Sequence, residues 1–148
     1  MEAKIQNGEA GYSHVTKHLE KEGYTFIATW EINQNRYRVL KTNKTTFLIM
    51  FKREFFYNFS RYFREQGAKG MGETINISDL KDSVVKGARS VLFIYPNGHI
   101  YSISISDFLS NGFRRMNKEG KETISVSIHL LKRENNPPIP EQQEGFKN

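Results

Sequence analysis

An α+β protein, with a central mixed sheet flanked by helices in the core order αβββαβ, is the fold this sequence of 148 residues predicts. Three observations lead there. The apolar spacing switches between a helical period and strict alternation, so helices and strands share one chain. Three strand-like runs follow one another through short polar turns, as in an antiparallel meander. A further strand–turn–strand unit follows only after a long helical stretch, which allows helices to pack against the sheet.

Taken in order, Ser13 can cap a helix over residues 14–22, with Val15 and Leu19 four apart and Gly23 suited to the position after its end. Residues 25–32 alternate, placing Phe26, Ala28, Trp30 and Ile32 on one face of a strand. Asn33-Gln34-Asn35 reads as a turn, residues 36–40 as a second strand, 41–44 as another turn and 45–51 as a third, mostly buried strand. Phe55, Phe56, Phe59, Tyr62 and Phe63 then form the stripe of a helix over about residues 53–65. Gly67, Gly70 and Gly72 break the chain, Thr74 opens a strand-like stretch, and Ser78 can cap a short helix that reaches Gly87. Residues 90–95 form an apolar strand that Pro96-Asn97-Gly98 folds back into 99–105. Asp107 to Leu109 reads as a helical turn. A last strand, 122–130, places Ile124, Val126, Ile128 and Leu130 on one face.

Residues 134–148 hold three of the four prolines and only Ile139 and Phe146 as large apolar groups. Such a segment cannot bury enough apolar surface to offset its ordering entropy. The expected organisation is a flexible start over 1–12, one domain over 13–133 and a disordered tail over 134–148. The tail carries three Glu and one Lys, so the body holds a charge of +8 within the total of +6. No cysteine is present, which excludes disulfide scaffolds, cysteine-ligated metals and thiol catalysis. Apolar runs such as 47–51 fall far short of the ~20 residues of a membrane span, and the opening residues lack the apolar centre of a signal peptide. A cytoplasmic protein that does not enter membranes is expected.

The basic excess points to a polyanionic partner, nucleic acid first. Its densest part interleaves cations with aromatics: Arg36, Arg38, Lys41, Lys44, Lys52, Arg53, Arg61 and Arg64 stand against Glu54 alone within residues 36–64. Such a patch binds backbone phosphate by releasing counterions. The phenylalanines there suit a core better than a stacking surface, leaving Tyr57 and Tyr62 the freer candidates. His14 and His18 share a helix face at a spacing able to chelate a metal, with Glu22 as the obvious third ligand, yet a structural role is the better reading. The segment 67–73 is Gly-rich but lacks the Lys-Ser/Thr ending of a phosphate loop.

The order of elements resembles a known family when joined to four stretches. These are Glu22-Gly23-Tyr24 closing the first helix, Arg36-Tyr37-Arg38-Val39-Leu40-Lys41, Thr46-Phe47-Leu48-Ile49-Met50-Phe51-Lys52-Arg53, and the later hairpin ending in Asp107-Phe108. Over about residues 13–130 the chain is similar to the PD-(D/E)XK nuclease superfamily, and within it to the archaeal Holliday-junction resolvases. The resemblance implies a restriction-endonuclease-like fold, a metal-binding Asp opening the second strand, Glu-x-Lys ending the third, and a dimeric assembly. Here Arg36 stands about where that Asp would be and Met50 where the Glu would be; only Lys52 matches. A cation and a thioether cannot hold Mg²⁺, which takes hard oxygen ligands.

The expectation is therefore a nucleic-acid-binding protein, with DNA foremost, on a nuclease-like fold whose metal site is degenerate and which needs no cofactor. In the alternative, an active endonuclease using Mg²⁺ or Mn²⁺, Glu31 and Glu20 serve as relocated carboxylates beside Lys52, and Glu31 takes the metal. A protein–protein adaptor is the other alternative. Gly87-Ala88-Arg89-Ser90-Val91 also resembles a segment of tRNA-splicing endonucleases, but the meander carries no His for that family's Tyr–His–Lys chemistry.

Overall fold

The computed structural model describes residues 9–33, 37–51, 72–95 and 98–135. Within them α1 (Glu9–Lys21) precedes a meander of β1 (Phe26–Ile32), β2 (Tyr37–Thr42) and β3 (Thr46–Phe51). Next come β4 (Gly72–Asn76), α2 (Ile77–Val85), β5 (Ser90–Ile94), β6 (Ile100–Ser104) and α3 (Ile105–Asn111). The chain continues through β7 (Phe113–Met116), β8 (Glu122–Ser127), a 3₁₀ turn (Ile128–Leu130) and β9 (Lys132–Arg133). The α+β class is as expected. The helix expected over 53–65 and most of the Gly-rich segment lie outside the described residues.

The strands make two sheets. One has six strands in the order β1-β2-β3-β5-β6-β9, with β3 and β5 parallel and the other neighbours antiparallel. The other has three antiparallel strands in the order β4-β8-β7. A strand covered on both faces reads as a continuous apolar run, and β3 does: Leu48 and Met50 enter one core while Phe47 and Ile49 enter another. On the first side the second sheet, α2 and α3 close over the large sheet with Ile75, Ile124, Val126, Leu80 and Phe108. On the second side Val15 and Leu19 of α1 meet Leu40, Ile49, Leu92, Ile94 and Ile100.

The end of α1 follows from Gly23. At φ +91° it takes the left-handed conformation, its N–H reaches Glu20 O (3.0 Å), and the Tyr24 N–H reaches Leu19 O (3.0 Å). These are the two bonds of a Schellman cap, and Tyr24 and Leu19 both join the smaller core. Gly87 ends α2 in the same way, with Ala88 N–H on Ser83 O (2.9 Å).

Several expectations are corrected. Ser13 lies inside α1, which starts at Glu9, and its carbonyl accepts from Thr16 Oγ1 (3.1 Å). Ser78 lies inside α2, whose N-cap is Asn76. The helical turn around Asp107 is a full α3, capped by Ser104 Oγ accepting from Asp107 N–H (3.0 Å). The last strand stops at Ser127, because its Oγ accepts from His129 N–H (3.2 Å) and turns the chain; Ile128 is buried and Leu130 exposed. Phe26 does not share a face with Ile32. Pairing steps from Phe26↔Thr42 to Ala28↔Lys41, so Ile27 is the extra residue of a bulge. Phe26 accordingly packs against the α1-side core and Ile32 in the other. Glu134 and Asn135, assigned to the tail, are tied to β6: Glu134 N–H donates to Ile100 O (2.8 Å) and Asn135 Oδ1 accepts from Ile100 N–H (2.8 Å).

Candidate functional site

Of the cations expected to form one patch, Arg38, Lys41 and Lys44 are described; Arg36, Lys52, Arg53, Arg61 and Arg64 lie outside the described residues. Arg38 sits opposite Glu31 in the β1–β2 register, with Nη2 3.9 Å from Oε2. Its guanidinium lies over the Tyr12 ring of α1, 4.4 Å from the centroid, and the side chain is only 22% exposed. That stacking fixes its orientation and narrows its access to a ligand.

Lys44 is set by the β2–β3 turn. Thr42 Oγ1 accepts from the N–H groups of Lys44 and Thr45 (both 3.1 Å) and donates to Thr45 O (2.7 Å). The ammonium then lies over the Tyr24 ring (4.8 Å) and donates to Glu22 O (3.3 Å), where the C-terminal end of α1 favours a cation. Strand alternation separates Lys41 from Arg38: Lys41 follows the parity of Tyr37 and Val39, on the face away from α1. The three cations therefore do not make one flat patch.

The relocated carboxylates are also apart. Glu31 is paired with Arg38, which stacks on Tyr12 near the start of α1, whereas the exposed Glu20 lies eight residues further along the helix, about 12 Å at its rise per residue. Among the described residues no three His, Asp or Glu side chains converge to hold a metal ion. The two histidines of α1 divide their roles. His14 Nε2 donates to Gly98 O (2.8 Å), a carbonyl that also accepts from Asn135 Nδ2 (3.0 Å), so His14 staples the helix to the β5–β6 turn.

His18 instead faces a cleft of about 250 Å³ with Glu22, Tyr24, Ser102, Lys132 and Glu134 among its walls. Burial lowers the His18 pKa below its ordinary value, with Glu22 and Glu134 opposing. Ser102 Oγ donates to Glu134 Oε2 across the cleft's edge. The spacing of His14 and His18 was legible; the cleft was not, because Glu134 and Lys132 reach it through the short strand β9.

A buried polar chain was missed altogether. Glu73 on β4 is fully buried and accepts a hydrogen bond from the Tyr95 hydroxyl. The Tyr95 ring meets Tyr101 edge-on (5.7 Å), and Tyr101 meets His99 (6.2 Å). Arg133 Nη2 donates to His99 Nε2 (2.7 Å); because guanidinium can only donate, that nitrogen is unprotonated. Burial, with Arg133 acting in the same direction, pushes His99 down to about 4. Burial raises Tyr101, with Arg133 opposing. The available signal was that Glu73 alternates with Thr74 and Ile75 as a strand would, placing it on the face of Ile75.

No protein-family model, no curated protein and no solved structure matches this chain. No helix among the described residues is long and apolar enough to cross a membrane.

Proposed function

We propose that the protein binds nucleic acid, DNA foremost, by phosphate contacts from dispersed surface cations, on a restriction-endonuclease-like fold whose metal site is degenerate. One observation carries the reading. Of the fourteen Lys and Arg side chains among the described residues, every one except Arg38 is exposed, and Arg38–Glu31 is the one ion pair between described residues. Among the described residues the cations therefore stand at the surface instead of being consumed by internal pairing, which is what counterion-releasing contact with a polyanion requires. The fold half of the proposal draws support from the meander β1–β2–β3 joined by a parallel β5 and an antiparallel β6.

The test is binding of the full chain to duplex, single-stranded and four-way-junction DNA, first in EDTA and then with Mg²⁺ or Mn²⁺. If five or six phosphates are contacted, affinity for duplex falls about 10³-fold between about 50 and 200 mM salt. Reversing Lys41→Glu with Lys44→Glu weakens binding by about tenfold or more. Absence of binding, or binding indifferent to salt, overturns the reading in favour of a protein partner. Metal-dependent cleavage overturns the degenerate site.

A further inference from the structure

Sequence reading placed the nucleic-acid surface within residues 36–64, yet the described structure offers a second surface on the far side of the small sheet. We propose that the outward face of β4-β8-β7 is a stacking surface for single-stranded nucleic acid, with Phe113 as the platform for a base. This rests on the nucleic-acid reading above and specifies the form of strand recognised there.

The small sheet has two unlike faces. Pairing sets Ile75 opposite Ile124 and Glu73 opposite Val126, and these four are buried against the large sheet. The alternate positions, Thr74 opposite Ser125 and Ser125 opposite Phe113, form the outward face. The Thr74 and Ser125 hydroxyls are hydrogen-bonded to each other (2.6 Å), and Phe113 is 66% exposed beside them on the edge strand. Arg115, two residues on and on the same face, holds its guanidinium 5.7 Å from the Phe113 centroid. An isolated exposed apolar side chain needs no explanation. Here the aromatic stands exposed on the edge strand beside an exposed cation and two hydroxyls, groups that can meet a base, a phosphate and a sugar respectively.

Charge selects the occupant. From Phe113 to Glu122 the ribbon carries Arg114, Arg115, Lys118 and Lys121 against Glu119 and Glu122, a net of +2. Its turn is held in advance. Asn117 Oδ1 accepts from the N–H groups of Glu119 and Lys121 (both 2.9 Å), and Asn117 N–H donates to Lys121 O (2.8 Å), so the backbone that carries the lysines needs little ordering on binding. A polyanion matches this charge. A single strand matches the aromatic as well, because its bases can leave their neighbours and lie on a ring, whereas duplex bases are already stacked.

The experiment measures fluorescence anisotropy of a short unstructured labelled single strand and of a duplex of equal length. Both are titrated with the wild-type chain and with Phe113→Ala, Phe113→Tyr and Arg115→Ala. Phe113→Ala is expected to weaken single-strand binding by about 5- to 150-fold while changing duplex binding less than about twofold; Phe113→Tyr retains affinity. Arg115→Ala is expected to lower the single-strand salt slope by about 0.7, the share of one phosphate. Since Phe113 is exposed, unchanged thermal unfolding verifies each fold. If the wild type binds single strands and Phe113→Ala binds them equally, this inference falls and the broader reading stands. Failure of the wild type to bind any nucleic acid removes both. A concentration-dependent mass that Phe113→Ala abolishes assigns the face to a second copy of the chain and overturns the proposal.

Discussion

Among the described residues, one helix covers one face of the six-stranded sheet, whereas a second sheet and two helices cover the other. The double-layered face buries a continuous apolar cluster from Ile32 and Tyr37 to Phe108 and Val126. The α1 face buries a cluster of eight apolar residues among those described and leaves the cleft of about 250 Å³ beside His18 and Glu134. Next to α1, Arg38 and Lys44 are held by tyrosine rings of, or just after, that helix. The contrast separates two tasks. Apolar area removed from water contributes ~1.5–3 kcal/mol for each large side chain, so cohesion concentrates where two layers meet. Polar groups that can meet a ligand remain where a single helix leaves the sheet partly open.

The largest expected effect tests the closed face. Phe108, fully buried with its ring 6.5 Å from that of Phe93, should cost about 3–5 kcal/mol on Phe108→Ala in urea unfolding. A loss below about 1 kcal/mol would break the comparison, since it would mean that the second layer is not a close-packed core.

The next effect is a pH dependence at the border of that face. His99 has a folded pKa of about 4 against an ordinary 6.5, so on acidification the unfolded chain takes up the proton first. The contribution of neutral His99 is whole above about pH 6.5 and drains away as pH falls towards about 4. His99→Gln should therefore show a flatter fall in Tm across that window than the wild type, the remaining titratable groups titrating equally in both. Parallel curves would show that Arg133 and burial do not hold the imidazole neutral.

The smallest effect belongs to the α1 face. His14→Ala removes the bond to Gly98 O and should cost about 1 kcal/mol, a part-buried hydrogen bond's usual worth. Were urea unfolding to show a cost equal to that of Phe108→Ala, α1 would be as integral to the fold as the second sheet.

What could be read in advance follows from which side chains are buried. The meander was legible because β3 is apolar on both faces and β2 alternates Tyr37 and Val39 with Arg38. The Gly23 and Gly87 endings were legible because glycine suits the left-handed position. β7 was not, since all four of its residues are exposed and no alternation marks it. Nor was the bulge at Ile27, because an extra residue changes which face Phe26 joins without changing the pattern before it. The candidate site suffered most. Residue types and net charge pointed to a basic surface, but alternation about Leu40 sends Arg38 and Lys41 to opposite sides.

The amino-acid order by itself determined the class of fold, the meander, the α1 and α2 endings and the positive charge, because each depends on neighbours a few residues apart. Tertiary structure decided that Glu73 meets Tyr95, that Arg133 meets His99 and that Phe113 stands exposed opposite Ser125. Those contacts join strands far apart in the chain, and the register that sets them comes from burying the apolar face of one sheet against the other, which no local pattern records.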